Sequence, residues 1–156
     1  MEMATKQAAI TRKKLVELLN EDLAREYQAI IAYVVYSQIL KGAQYMAIAD
    51  QLEKHAAEEL QHAIKISQQI DYLNGTPTVS PKPVKVATDA KKILRADLSN
   101  EIETIRNYRQ RVRQCEALGE FALAEHIREI LIDEQDHLID LVTALGEETP
   151  SINDDD

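Results

Sequence analysis

A chain of 156 residues that is 45% apolar and 29% charged, with 1 Phe and no Trp, is long enough to bury one core and favours helix over a turn-rich sheet. Its formal net charge of −9 argues against a nucleic-acid surface and suits cations. No run nears the roughly 20 apolar residues of a membrane span, Met1 to Ile10 lacks the apolar stretch of a signal peptide, and the lone Cys115 has no internal disulfide partner, so a cytoplasmic protein is expected.

The first helical pattern runs over residues 11–40 behind Thr11, an N-cap residue type, and breaks at Lys41-Gly42. A second covers 43–73. The stretch "NGTPTVSPKPVKVAT", Asn74 to Thr88, holds three of the four prolines and no helical period, which makes it a loop. Extended, it reaches about 50 Å, the length of a helix of roughly 25 to 30 residues, so it can carry the chain from one end of a bundle to the other. Thr88 is the expected N-cap of a third helix over 88–116, Leu118-Gly119 makes the next break, and a fourth helix covers 120–146 before a polar tail, 147–156, that ends in Asp154-Asp155-Asp156. One all-α domain follows: four helices with a long crossover between the second and the third.

The two halves match at a fixed offset of 75. Asp22 maps to Asp97, Glu26 to Glu101, Tyr33 to Tyr108, Glu59 to Glu134 and His62 to His137, with no gap. Both "EELQHAIKI" (Glu58 to Ile66) and "DEQDHLIDL" (Asp133 to Leu141) place an acidic pair ahead of a histidine. A helical hairpin used twice about a pseudo-twofold axis brings these segments face to face.

The core-facing stripe of each helix, read at alternating spacings of three and four, carries a glutamate near its middle. The stripes are Leu19, Leu23, Glu26, Ile30, Tyr33; Leu52, His55, Glu59, His62, Ile66; Leu94, Leu98, Glu101, Ile105, Tyr108; and Ile127, Ile130, Glu134, His137, Leu141. Four carboxylates in an apolar core need neutralising, since an unpaired buried ion costs several kcal/mol. Two divalent ions do this: four carboxylates contribute −4, two neutral imidazoles nothing, and the metals +4. Oxygen ligands with one imidazole per ion suit iron or manganese better than the thiolate sites of structural zinc. One Glu from each of two helices with Glu-x-x-His from each of the others is the inward set of carboxylate di-metal bundles.

With Glu26 in "NEDLAREYQAIIAY", Glu59 and His62 in "EELQHAIKI", Glu101 in "RADLSNEIETI", and Glu134 and His137 in "DEQDHLIDL", the chain resembles the bacterioferritins of the ferritin-like superfamily over roughly residues 11–146. The resemblance implies a ferritin-like four-helix bundle. It implies a non-haem centre of two iron ions, manganese being the alternative metal, in which Glu59 and Glu134 bridge while Glu26 with His62 and Glu101 with His137 complete each site. It also implies ferroxidase chemistry with oxygen or hydrogen peroxide, in a homo-oligomer that is a cage in the storage reading. The alternative activity is a peroxidase or manganese-catalase oxidoreductase without mineral storage. Leu60 stands where bacterioferritins carry the haem-ligating methionine, so no haem is expected, and "GEETPSINDDD" after Leu145 offers no fifth helix to line a cage channel. Thr104 and the single Cys115 give no support for the extra glutamate and the Cys pair of rubrerythrins.

Several neighbours admit two readings each. Tyr33 and Tyr108 either hydrogen-bond a ligand or are plain core aromatics. Asp22 and Asp97, one turn before Glu26 and Glu101, either orient the imidazoles or serve as exposed caps and ion pairs. His55 is an accessory iron ligand or an ordinary buried histidine, and Arg106, Arg109 and Arg113 form a solvated or subunit-contact stripe, with Lys54 at the surface.

Overall fold

The computed structural model describes residues 10–153, so the expectation made of the stretch Met1 to Ile10 lies, apart from Ile10 itself, outside the described residues, as does the acidic Asp154-Asp155-Asp156 end. Four helices, α1 (Arg12–Ile39), α2 (Met46–Tyr72), α3 (Ala90–Ala117) and α4 (Phe121–Leu145), build the bundle, with no strand among the described residues. None of these helices is long and apolar enough to cross a membrane.

Local chemistry sets the helix ends. Thr11 caps α1 by accepting from the Lys14 amide at 3.1 Å. The cap of α3 is Asp89, which accepts from the Lys92 amide at 2.9 Å, rather than the expected Thr88. Both are good capping residues, and the one whose side chain meets the third amide of the turn wins. The second helix starts at Met46 rather than at 43, because Gly42 at φ 118° leads into a single 3-10 turn, Ala43–Tyr45. Gly146 at φ 68° closes α4 in the left-handed conformation that glycine adopts without steric cost.

The crossover from Leu73 to Asp89 is pinned along α1. The Thr78 amide donates to Asn20 Oδ1 at 2.8 Å, the Lys82 amide to Ala24 O at 3.0 Å, Gln28 Nε2 to Pro83 O at 2.7 Å, and the Tyr36 hydroxyl to Lys85 O. Its contacts ascend α1 from Asn20 to Tyr36, so it delivers the chain to the far end and α3 runs back antiparallel to α1. Gly75 lets it leave α2 closely, since a Cβ there would lie 2.5 Å from Val16 Cγ1.

α1 packs chiefly on α2, and α3 chiefly on α4. The buried apolar side chains fall into two clusters. One holds Tyr33, Tyr36, Leu52, Leu94, Leu98 and Leu141, and the other Leu19, Leu23, Ile66, Tyr108, Cys115 and Ile127. Between them lies a polar layer, at the level where the stripes carry their glutamates.

Candidate metal centre

The stripes bring Glu26 of α1, Glu59 and His62 of α2, Glu101 of α3, and Glu134 and His137 of α4 into that layer, each between 1% and 4% exposed. Ligand-type atoms of Glu26, Glu59, His62 and Glu134 all lie within 4.8 Å of one another, and so do those of Glu59, Glu101, Glu134 and His137. Glu59 and Glu134 belong to both quartets, as a two-ion site with two shared carboxylates requires.

His62 Nδ1 stands 3.0 Å from Glu134 Oε1, 3.5 Å from Glu59 Oε2 and 3.6 Å from Glu26 Oε2. His137 Nδ1 stands 2.9 Å from Glu59 Oε1, 3.7 Å from Glu134 Oε2 and 3.8 Å from Glu101 Oε1. Glu26 Oε2, Glu59 Oε1, His62 Nδ1, Glu101 Oε2, Glu134 Oε1 and His137 Nδ1 are all buried, and none makes a hydrogen bond of acceptable geometry, although His62 Nδ1 with Glu134 Oε1 and His137 Nδ1 with Glu59 Oε1 lie within ion-pair distance. Buried polar atoms are nearly always satisfied. One atom without a hydrogen bond from each of six residues, converging on one space, fits divalent cations held by oxygen and imidazole nitrogen.

The electrostatics of the layer carry the same frustration. Burial, and then the neighbouring Glu26 carboxylate, push Glu59 up to about 7. Burial, and then Glu134, push Glu101 up to about 8, and burial also raises Glu26. For His62 and His137 burial alone would favour the neutral ring, but the carboxylates facing each one reverse the sign and hold it far above its ordinary value. Excess negative charge in a low-dielectric space draws in protons where no other cation is present.

The outer nitrogen of each ring is fixed from the opposite motif. His62 Nε2 lies 2.7 Å from Asp133 Oδ2, and His137 Nε2 lies 2.8 Å from Glu58 Oε2. A carboxylate accepts the Nε2–H, so Nδ1 is the nitrogen that faces the cage, where its lone pair becomes available once a metal cation displaces the proton. Asp22 and Asp97 do not have this role. Asp22 is buried against Arg111, at 2.6 Å from Nε and 3.0 Å from Nη2. Asp97 has no such partner: its Oδ2 is unsatisfied, and burial followed by the charges of Glu101 and Glu59 holds its carboxyl well above the usual range. Sequence reasoning missed Glu58 and Asp133 as orienting groups. Their signal was the first acid of each acidic pair.

Tyr33 donates to Glu101 and Tyr108 to Glu26, each across to the other hairpin. These are the hydrogen bonds to candidate ligands that the spacing allowed. His55 belongs to neither quartet. Its Nε2 lies 2.9 Å from Asp140 Oδ2, its ring stacks on His137 with centroids 3.9 Å apart, and burial lowers its pKa. The 75-residue offset pairs His55 with Ile130, so this contact breaks the pseudo-symmetry.

The sequence family described as the ferritin-like domain matches residues 16–151. The chain is similar to a bacterioferritin of Brucella melitensis, 28% identical over 142 residues that cover 86% of this chain and 88% of that protein. It is similar to a bacterioferritin of Rhodobacter capsulatus, 26% identical over 134 residues with 85% and 83% covered. Among solved structures it is similar to a ferritin-like, diiron-carboxylate protein of Bacillus anthracis, with a TM-score of 0.83, 34% identity, and coverage of 86% of this chain and 96% of that one.

Proposed function

The chain belongs to the ferritin-like domain family, and from that membership we propose that its buried cage is a ferroxidase centre that oxidises iron(II) for storage or detoxification. The observation that carries this reading is the set of six converging atoms without hydrogen bonds, to which two divalent cations would supply both partners and balancing charge. Glu26 with His62 takes one ion, Glu101 with His137 the other, and Glu59 and Glu134 bridge. The four carboxylates then balance two divalent ions, and the relatives named for bacterioferritin and the diiron-carboxylate neighbour favour iron over manganese.

Iron is the substrate: each ferrous ion loses one electron to an oxidant, oxygen or hydrogen peroxide. The chain's own part is to hold and screen it. Asp133 and Glu58 fix the imidazoles, Tyr108 and Tyr33 fix Glu26 and Glu101, and the two apolar clusters keep bulk water away from the layer. No haem takes part in this account, because Leu60 offers no lone pair.

The storage reading requires a homo-oligomeric shell. Iron(II) added in air far beyond two ions per chain then gives rapid oxidation of the first two, followed by slower mineral growth that stays soluble and co-elutes with the protein. One observation favours a second reading, a di-iron or di-manganese peroxidase or catalase without storage. After Leu145 the described tail lies back on its own bundle through Arg95 with Glu147 and Arg109 with Ile152 O. A dimer that precipitates iron beyond two ions and consumes peroxide catalytically would establish that reading instead.

A further inference from the structure

A cleft between α1 and α3 leads from the surface, at Asn100 and Glu103, down to Glu26, Glu59, Glu101 and Glu134. Each of its ten lining residues has its mate at the 75-residue offset in the same lining: Arg25 with Asn100, Gln28 with Glu103, Ala29 with Thr104, and the four glutamates with one another. A cleft lined this way lies on the pseudo-twofold axis and opens onto the middle of the cage.

Its free volume is about 20 Å³. That is room for one water molecule. A divalent cation still carrying its water shell is larger, so it sheds water at the mouth or the mouth widens.

The rims differ although the positions match. On one, Arg25 Nη1 binds Glu103 Oε1 at 2.6 Å across the gap between α1 and α3. On the other, Asn100 carries no charge and the Gln28 amide is turned away to Pro83 O. A cation side chain over a cage built for cations is electrostatically costly for uptake, yet the Arg25 Nε is buried there without a hydrogen-bond partner. The two side chains are also the movable part of the mouth. The helices beneath them are packed, whereas the Arg25 side chain is 21% exposed and that of Glu103 is 60% exposed.

We propose that the Arg25–Glu103 ion pair is a latch across the axial mouth, which parts to let a divalent cation reach the four glutamates and so sets the rate of metal uptake but not its extent. This rests on the metal-centre reading above. The latch adds the access step, and it assigns that step to two residues outside the ligand set.

The test is anaerobic stopped-flow mixing of the metal-free protein with cobalt(II) alone, read by the visible absorption of the bound ion. The double variant R25Q/E103Q removes the pair while leaving the net charge of the rim unchanged. It should take up cobalt about two- to fivefold faster, the range set by the worth of a half-exposed ion pair, and reach the same end-point. The reversed pair R25E/E103R should return the rate to that of the wild type. Wild-type rates in R25Q/E103Q, or a reversed pair as fast as the double variant, would overturn the latch. A Glu59→Ala control separates the two levels: if it leaves the cobalt signal of the wild-type mouth intact, the metal-centre reading itself falls, and the latch with it.

Discussion

Replacing Asp133 by alanine removes the acceptor that holds His62 Nε2–H at 2.7 Å, and leaves the ring free to turn or to protonate Nδ1. A hydrogen bond to a charged group contributes about 1.5–3 kcal/mol. The Asp133 side chain is 42% exposed, so water replaces part of the interaction and the low end applies. About 1.5 kcal/mol corresponds to roughly tenfold weaker binding, at the lower edge of the range for such outer groups. The loss should fall on one ion only, because Glu58 still fixes His137 at 2.8 Å. Anaerobic calorimetric titration with cobalt(II) should therefore resolve one tight and one weakened site in Asp133→Ala, the converse site weakened in Glu58→Ala, and a smaller effect in Asp133→Asn, whose amide oxygen still accepts. Equal weakening of both sites, or of neither, would refute the cross-hairpin account of these two acids.

Arg111→Ala should lower stability by about 3 kcal/mol, a fall on the order of 10 °C in melting temperature, since it strands the buried Asp22 carboxylate; the apolar pair Asp22→Leu with Arg111→Met should recover most of it, and an unchanged melting curve for the single variant would count against the buried pair. Glu59 at about 7 and Glu101 at about 8 are carboxyls raised by folding, so the metal-free native state binds more protons than the unfolded chain above pH 4.5. The raised histidines act in the same direction above their ordinary value. Stability of the metal-free protein should thus fall from pH 6 to 8.5, and the rise in melting temperature on adding cobalt(II) should grow over that window; scanning calorimetry with a pH-independent rise would contradict it. Protein expressed natively should purify without a haem Soret band, because Leu60, half exposed on α2, cannot ligate iron; a band that survives gel filtration would show another axial ligand at work.

The six candidate residues were legible because helical periodicity is a statement about faces: Glu26, Glu59, Glu101 and Glu134 stand on apolar stripes, and the stripes must meet. The 75-residue repeat supplied the pairing of halves. What periodicity does not give is the rotation between neighbouring residues. Glu58 and Glu59 are adjacent in sequence but about 100° apart around α2, so one enters the core while the other reaches α4. Asp22 and Asp97 look equivalent by offset, yet their partners are not, since Arg111 stands by Asp22 and its own mate in the repeat is Tyr36. The contact of His55 with Asp140 has no counterpart in the other half, so no symmetry argument reaches it. Thr88 and Asp89 are both capping residues side by side, and only the local turn geometry chooses between them.

Anaerobic equilibrium dialysis with elemental analysis tests the central claim most directly. Saturation at two divalent ions per chain is expected. Glu59→Ala and Glu134→Ala should each disturb both ions because each belongs to both quartets, while Glu26→Ala and Glu101→Ala should each disturb one. Saturation at a single ion per chain, or Glu59→Ala and Glu134→Ala leaving the stoichiometry at two, would contradict the account.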